Sequence, residues 1–385
     1  MAQVVEHVGW GRRIMDSIKG IVVGLILFLA SFALLGWNEL NAVRNYRTVA
    51  EGRKIVVNAD AAAVDPAKEG KLIHLSGAAR TDEILKDAVF DVQANAMRLF
   101  RAVEMFQWQE KVDTRTEKKL GGGEDRIKTY SYNKVWSGHW IDSSTFEGPD
   151  RSAYVNPPSM PVTSGEETAQ RAVLGAYKLH PTLVSQMAKQ TAVDVRAGMA
   201  PESFRPRTRE VPGGLYIGTD PAQPKIGDLK VTFAQTPPGD VSVLARQAAG
   251  GLEAYRSEKT GKSIHRLMDG THPAPEMFDV LKQEAAMLAW ILRAVGFLVM
   301  YAGLSMLFRP LSVLADVVPL FGTIVGFGTG LVAGILAGSL TLLTIAVCWF
   351  VVRPLVSVPL IIVAGVLLFK LRGKKSATVA PPAAV

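Results

Sequence analysis

LFGTIVGFGTGLVAGILAGSLTLLTIAVCWFVV, residues 320–352, is a run of 33 residues without one charged side chain. A helix rises ~1.5 Å per residue, so this stretch would reach about 50 Å, well beyond the ~30 Å hydrocarbon core of a bilayer. It is too long for one upright crossing, and the sequence predicts that it tilts, breaks or re-enters. Outward from it, Arg353-Pro354 interrupts the run and residues 355–371 supply a further apolar segment. On the other side, residues 287–308 form a second span, and Met277, Phe278, Leu281 and Ala285 precede it at helical spacing. A helix is therefore expected to start near Pro275 outside the membrane and run into it, with Arg309-Pro310 ending the span. Near the N-terminus IVVGLILFLASFALLGW, residues 21–37, covers roughly 25 Å at the same rise, with Arg12, Arg13 and Lys19 before it and Trp10 and Trp37 at its flanks. It is longer than a usual signal-peptide core and no small-x-small cleavage site closes it, so it reads as an uncleaved anchor.

The fold class expected is a multi-pass α-helical membrane protein with four transmembrane helices and a large, mainly β (α+β) extracytoplasmic domain between the first two. Its parts are a cytoplasmic tail (1–20), span 1 (21–37), the β-rich domain (38–274), an amphipathic helix continuing into span 2 (275–308), a cytoplasmic connection (309–319), the glycine-rich segment 3 (320–352), span 4 (355–371) and a basic tail (372–385). Lys370, Arg372, Lys374 and Lys375 follow the positive-inside pattern, so both termini are expected in the cytoplasm and residues 38–286 across the membrane. Arg12 and Arg13, with the C-terminal cations, are the expected contacts to lipid headgroups.

The chain has 385 residues, 48% hydrophobic and 20% charged, with formal net charge +8. Its basic residues are scattered or gathered at membrane flanks rather than aligned in one stripe, which disfavours nucleic-acid binding. The one cysteine, Cys348, lies in an apolar run, and no Asn-x-Ser/Thr site occurs in residues 38–274. That combination fits a bacterial periplasm better than an oxidising, glycosylating lumen.

Within residues 48–274, period-two runs point to strands at 70–77, 98–108, 128–140, 171–179 and 228–234. Tyr130, Tyr132, Trp136 and Trp140 share one strand face, expected to be covered by a core or a partner. A meander is expected over 228–268, a short helix capped by Thr182 after His180-Pro181, and a loop over the Pro- and Gly-rich stretch 196–227.

Several strings resemble the transmembrane protein 43 (LUMA) family: WNELNAVRNYRTVAEGRKIVV (37–57), VDPAKEGKLIHLSG (64–77), RAVEMFQWQE (101–110), YSYNKVW (130–136), NPPSMP (156–161), GDVSVLARQ (239–247), residues 290–303 and SLTLLTIAVCWFVVRPL (339–355). The resemblance runs over nearly the whole chain in the same order. It implies four transmembrane helices, a large lumenal or extracytoplasmic domain, no established enzymatic activity, and a self-associating membrane organiser. Eukaryotic relatives reside in the endoplasmic reticulum and inner nuclear membrane; bacterial members exist, and this chain looks like one of them.

Gly322, Gly326, Gly330, Gly334 and Gly338 repeat every four residues, with Ser339 beside the last. Such a stripe lets a helix approach backbone to backbone, within the subunit or between subunits. Asp316 is the one acid between span 2 and the C-terminus, an interfacial residue with Arg309 and Arg353 as candidate counter-charges. Arg293 lies about two turns inside span 2, where its stem can lift the guanidinium to the interface. No two of the six histidines stand at i+3 or i+4, and no Walker loop, dinucleotide fingerprint, Gly-x-Ser-x-Gly or His-Glu-x-x-His occurs. No catalytic, cofactor-binding or metal residue is therefore assigned. The expected function is a non-enzymatic scaffold with lipid, homo-oligomeric and envelope-protein contacts. The alternatives are a transporter or channel component, and a membrane-surface enzyme acting on lipid or cell envelope.

Overall fold

The structure, a computed structural model, describes residues 2–350 together with 359, 362, 363, 365 and 366. Most of segment 4, and Arg353, Lys370, Arg372, Lys374 and Lys375, lie outside the described residues. Among the described residues three helices are long and apolar enough to cross a membrane: α1 (Trp10–Ile55), α3 (Ala274–Ala315) and α4 (Pro319–Phe350); α2 is the single turn Pro181–Val184. The large β-rich region lies between the first and second of these helices.

Helix α3 begins beside Pro275 and continues into the apolar stretch. It does not stop at Arg309-Pro310 but runs five residues further, to Ala315. Proline removes one helical hydrogen bond, yet it sits within the last two turns, where Ser312 Oγ donates to the Arg309 carbonyl at 3.0 Å. Segment 3 is one unbroken helix of 32 residues, roughly 48 Å long at ~1.5 Å per residue, rather than a re-entrant pair.

The chain divides into two compact units, one mainly of residues 48–113 and 129–281, the other of residues 4–47, 114–128 and the helices from 282 onward. The β-rich unit uses strands β1 (Ala2–Val8), β2 (Leu72–Thr81), β3 (Arg98–Lys118), β4 (Glu124–Ser137), β5 (Gly165–Thr168), β6 (Ala172–Leu174), β7 (Tyr177–Leu179), β8 (Thr208–Val211), β9 (Gly214–Ile217), β10 (Leu229–Thr236), β11 (Gly239–Ala248), β12 (Gly251–Glu253) and β13 (Arg266–Asp269). One sheet has the order β1-β4-β3-β10-β9-β8, with β5 on β3. In the other, β11, β12, β7, β6 and β2 pair in a closed ring, and β13 adds to β11. Inward-facing residues of both sheets, among them Ile73, Leu75, Leu99, Val103, Met105, Leu174, Tyr177, Val231, Phe233, Val241 and Val243, form one core. Alternation along β3 and β10 puts every second side chain into it.

Four local expectations change. Residues 171–179 form a tight hairpin, because Gly175 takes φ +58° and the Ala61 carbonyl leaves no room for a Cβ there. Residues 228–268 are not a meander: the turn at Pro237-Pro238 carries the chain from β10 in one sheet to β11 in the other. The stretch 196–227 contains the β8–β9 hairpin. The cap of α2 is His180, whose ring accepts the Thr182 N–H, one residue before the proline that fixes the first turn.

Candidate functional site

Charged side chains collect at two places in the helical unit. At the first, Glu39 of α1 is fully buried and takes both forks of the Arg293 guanidinium from α3, Nε at 2.7 Å and Nη2 at 2.9 Å. Trp349 of α4 also donates its indole N–H to Glu39, and the guanidinium lies 4.7 Å from the Trp290 ring centroid and 5.7 Å from that of Trp349. Asn38 donates to the Ala289 carbonyl at 3.1 Å beside them. A planar guanidinium matched to a carboxylate and flanked by rings is the geometry that compensates a buried cation best. Arg293 is thus held by a buried acid of α1.

At the second, Asp316 joins α3 to α4 and is 1% exposed. Arg13 Nη2 reaches it at 2.5 Å and Lys118 Nζ at 2.7 Å. Arg13 Nε also pairs with Glu124 at 2.9 Å, Glu124 pairs with Arg126 at 2.8 Å, and Arg13 Nη1 donates to the Gly122 carbonyl at 2.5 Å. Asp316 is therefore buried, and its counter-charges are Arg13 and Lys118 rather than Arg309, which is exposed. Arg13 is enclosed by protein oxygens instead of lipid headgroups, whereas Arg12 stays exposed near Glu6 at 3.6 Å. Within the same cluster Lys118, Gly122 and Glu124 of the stretch 114–128 bond to Arg13 and Asp316.

The glycine stripe faces α3 of the same chain. A Cβ on Gly330 would meet the Tyr301 hydroxyl at 3.6 Å and one on Gly334 the Tyr301 ring at 3.7 Å, one on Gly338 would meet Phe297 at 4.0 Å, and one on Gly326 would meet Ser312 at 3.7 Å, all ordinary contact distances. Gly322 is tighter, since its Cβ would strike the Asp316 carboxylate. The closest backbone approach is elsewhere, where α1 crosses α3: a Cβ on Gly303 would lie 2.7 Å from the Phe28 nitrogen and 2.8 Å from the Gly24 carbonyl. Ser339 is buried, and its hydroxyl has no partner among the described residues.

In the β-rich unit the chain itself covers the expected aromatic face at Tyr130, Tyr132 and Trp136, whereas Trp140, beyond the end of β4, is exposed. Tyr132 stacks on Tyr154 at 3.8 Å and Trp136 packs on Phe106 at 5.0 Å. Burial raises the Glu110 carboxyl, but the N–H groups of Glu147 and Gly148 and the Tyr132 hydroxyl bring it below the usual range. Burial and the same carboxylate push Tyr132 up to about 12. These groups saturate one another. Among the described residues no group of three or more His, Cys, Asp or Glu is arranged to hold a metal ion.

The family model for transmembrane protein 43 matches residues 105–354. The mouse and human proteins named transmembrane protein 43 are each 33% identical over 359 residues, which covers 90% of this chain and 88% of theirs. The chain belongs to the transmembrane protein 43 family. The fruit fly transmembrane protein 43 homolog is 27% identical over 347 residues, 88% of this chain and 90% of that protein. No solved structure matches. In this member of the family the string WNE at 37–39 supplies the buried acid of the Arg293 pair, and SLTLLTIAVCW at 339–349 ends in the tryptophan that completes it.

Proposed function

We propose that this multi-pass membrane protein is a non-enzymatic scaffold of a bacterial cytoplasmic membrane, one that self-associates and binds envelope or membrane proteins through its β-rich domain. The observation that carries this reading is the state of the buried charges in the helical unit. Glu39 is neutralised by Arg293, and Asp316 by Arg13 and Lys118. A transport path needs polar groups free to exchange partners with a solute. Here they tie helices together, and Thr329 and Thr344 donate to carbonyls of their own helix. With the glycine stripe turned toward α3, the surface left for other copies and for lipid is the outward face of α4, where Leu320, Phe321, Ile324, Phe327 and Leu331 are exposed. The lone cysteine and the lack of glycosylation sites support the bacterial assignment. Native mass spectrometry from mild detergent, with chemical cross-linking in membranes, tests the proposal. Oligomers or a captured membrane partner are expected, and a strictly monomeric protein that captures none overturns it.

A further inference from the structure

We propose that Arg44 and Arg47 of α1, with Lys282 of α3, form a binding surface for the headgroup phosphate of an anionic phospholipid, in the leaflet at the C-terminal end of α1. The observation that carries this is one outward stripe of α1. Val22, Ile26, Leu29, Ala33, Trp37 and Leu40 are all exposed and follow one another at steps of three or four residues, so they share one helix face. The same steps place exposed Lys19 before them and exposed Arg44 and Arg47 after them. At ~1.5 Å per residue Val22 to Leu40 rises about 27 Å, close to the ~30 Å hydrocarbon core. Lys19 to Arg44 rises about 38 Å, near the ~40–45 Å that includes both headgroup layers. Trp37 then stands at the aromatic belt and the two arginines at the level of the phosphates.

The packing of α1 uses its other faces. A Cβ on Gly296 of α3 would strike Leu35, one on Gly303 would strike Gly24 and Phe28, and Asn38 donates to the Ala289 carbonyl. These contacts run antiparallel, which brings exposed Lys282 level with residues 44–47. Over the flanks 40–47 and 282–292 the three cations face one acid, Glu284, and Glu39 is already neutralised by Arg293. The surplus positive charge suits a phosphodiester, whose oxygens match a guanidinium fork, whereas the ammonium of a zwitterionic headgroup offsets the attraction.

The test uses the full-length protein, delipidated in mild detergent and titrated with phosphatidylglycerol or phosphatidylcholine of identical chains, with binding read by native mass spectrometry. Phosphatidylglycerol is expected to bind about tenfold or more tighter, since each such cation adds a several-fold factor. Arg44→Gln with Arg47→Gln and Lys282→Gln should bring the two lipids within about twofold of each other. Arg44→Lys with Arg47→Lys keeps the charge and should keep a preference. Arg80→Gln with Lys178→Gln, at exposed cations of the β-rich region, should leave the preference unchanged. Any of four results overturns the proposal: no preference in the parent protein, a preference that survives the triple variant, an equal loss in the Arg80 and Lys178 control, or displacement of the lipid by excess glycerol phosphate.

Discussion

Replacing Glu39 by Gln leaves the Arg293 guanidinium inside the helical unit with its charge intact and its two short carboxylate bonds gone. Removing one partner of a buried pair costs about 3–5 kcal/mol, because the surviving charge keeps its desolvation penalty and loses its compensation. At ~1.4 kcal/mol per tenfold, the folded-to-unfolded ratio should fall by roughly a hundredfold to several thousandfold. Gln keeps an amide oxygen that can accept from the Trp349 indole, so the loss reports on the charge rather than on an orphaned N–H. The companion variant, Glu39→Gln with Arg293→Met, removes both charges at similar volume and should recover to within about 1 kcal/mol of the parent protein. Reversible unfolding in mixed micelles, followed by circular dichroism, measures both. A single variant that loses less than about 1 kcal/mol, or a double variant no better than the single, would refute the reasoning that the pair is a buried, mutually dependent unit.

Gly303→Leu should separate α1 from α3 and cost several kcal/mol, since its Cβ meets backbone under 3 Å, whereas Gly334→Ala should be neutral or slightly stabilising; thermal unfolding in detergent distinguishes them. Gly175→Ala should destabilise the β-rich domain by more than 1 kcal/mol, through both the positive φ and the Ala61 carbonyl, as read by limited proteolysis of the full chain. Desolvation lowers His74 and His265 below the ordinary histidine value, so the unfolded chain binds protons that the folded domain refuses; stability is full above about pH 6.5 and falls as pH drops toward the folded values. The free energy of hydrogen exchange in β2, corrected for intrinsic rates, should therefore fall from pH 7.5 to 5, and His265→Gln should flatten the dependence; a pH-independent exchange free energy would contradict this.

The membrane segments and the β character of the middle region were legible because both are written in local periodicity. Residues 21–37, 287–308 and 320–352 announce themselves by lack of charge, and 98–108 and 228–234 by alternation. What stayed hidden depends on partners far away in sequence. Arg293 stands out in the sequence as a cation inside an apolar run, but Glu39 lies 254 positions earlier and looks like ordinary flanking polarity after Trp37. A signal was present: one isolated acid just past the domain-side end of the first apolar run, and one isolated base about two turns inside the domain-side end of the second. The glycine stripe had the stronger local pattern yet marks an ordinary contact, while Gly24 and Gly303, without a repeat, make the closest crossing. The contacts of the β3–β4 tip with Arg13 and Asp316 left no trace at all in periodicity, since its charged strands look like any solvated ribbon.

Arg13 and Asp316 are 303 positions apart, which imposes an order on biogenesis. The guanidinium leaves the ribosome among the earliest residues, and its principal acid arrives only when the second long helix is complete. Glu124 is made in between and can chaperone the cation through that interval. Nascent chains arrested near residue 300 should consequently leave their N-terminal strand open to protease, and chains arrested shortly after residue 350 should protect it; equal cleavage of both would sever the link between translation order and closure.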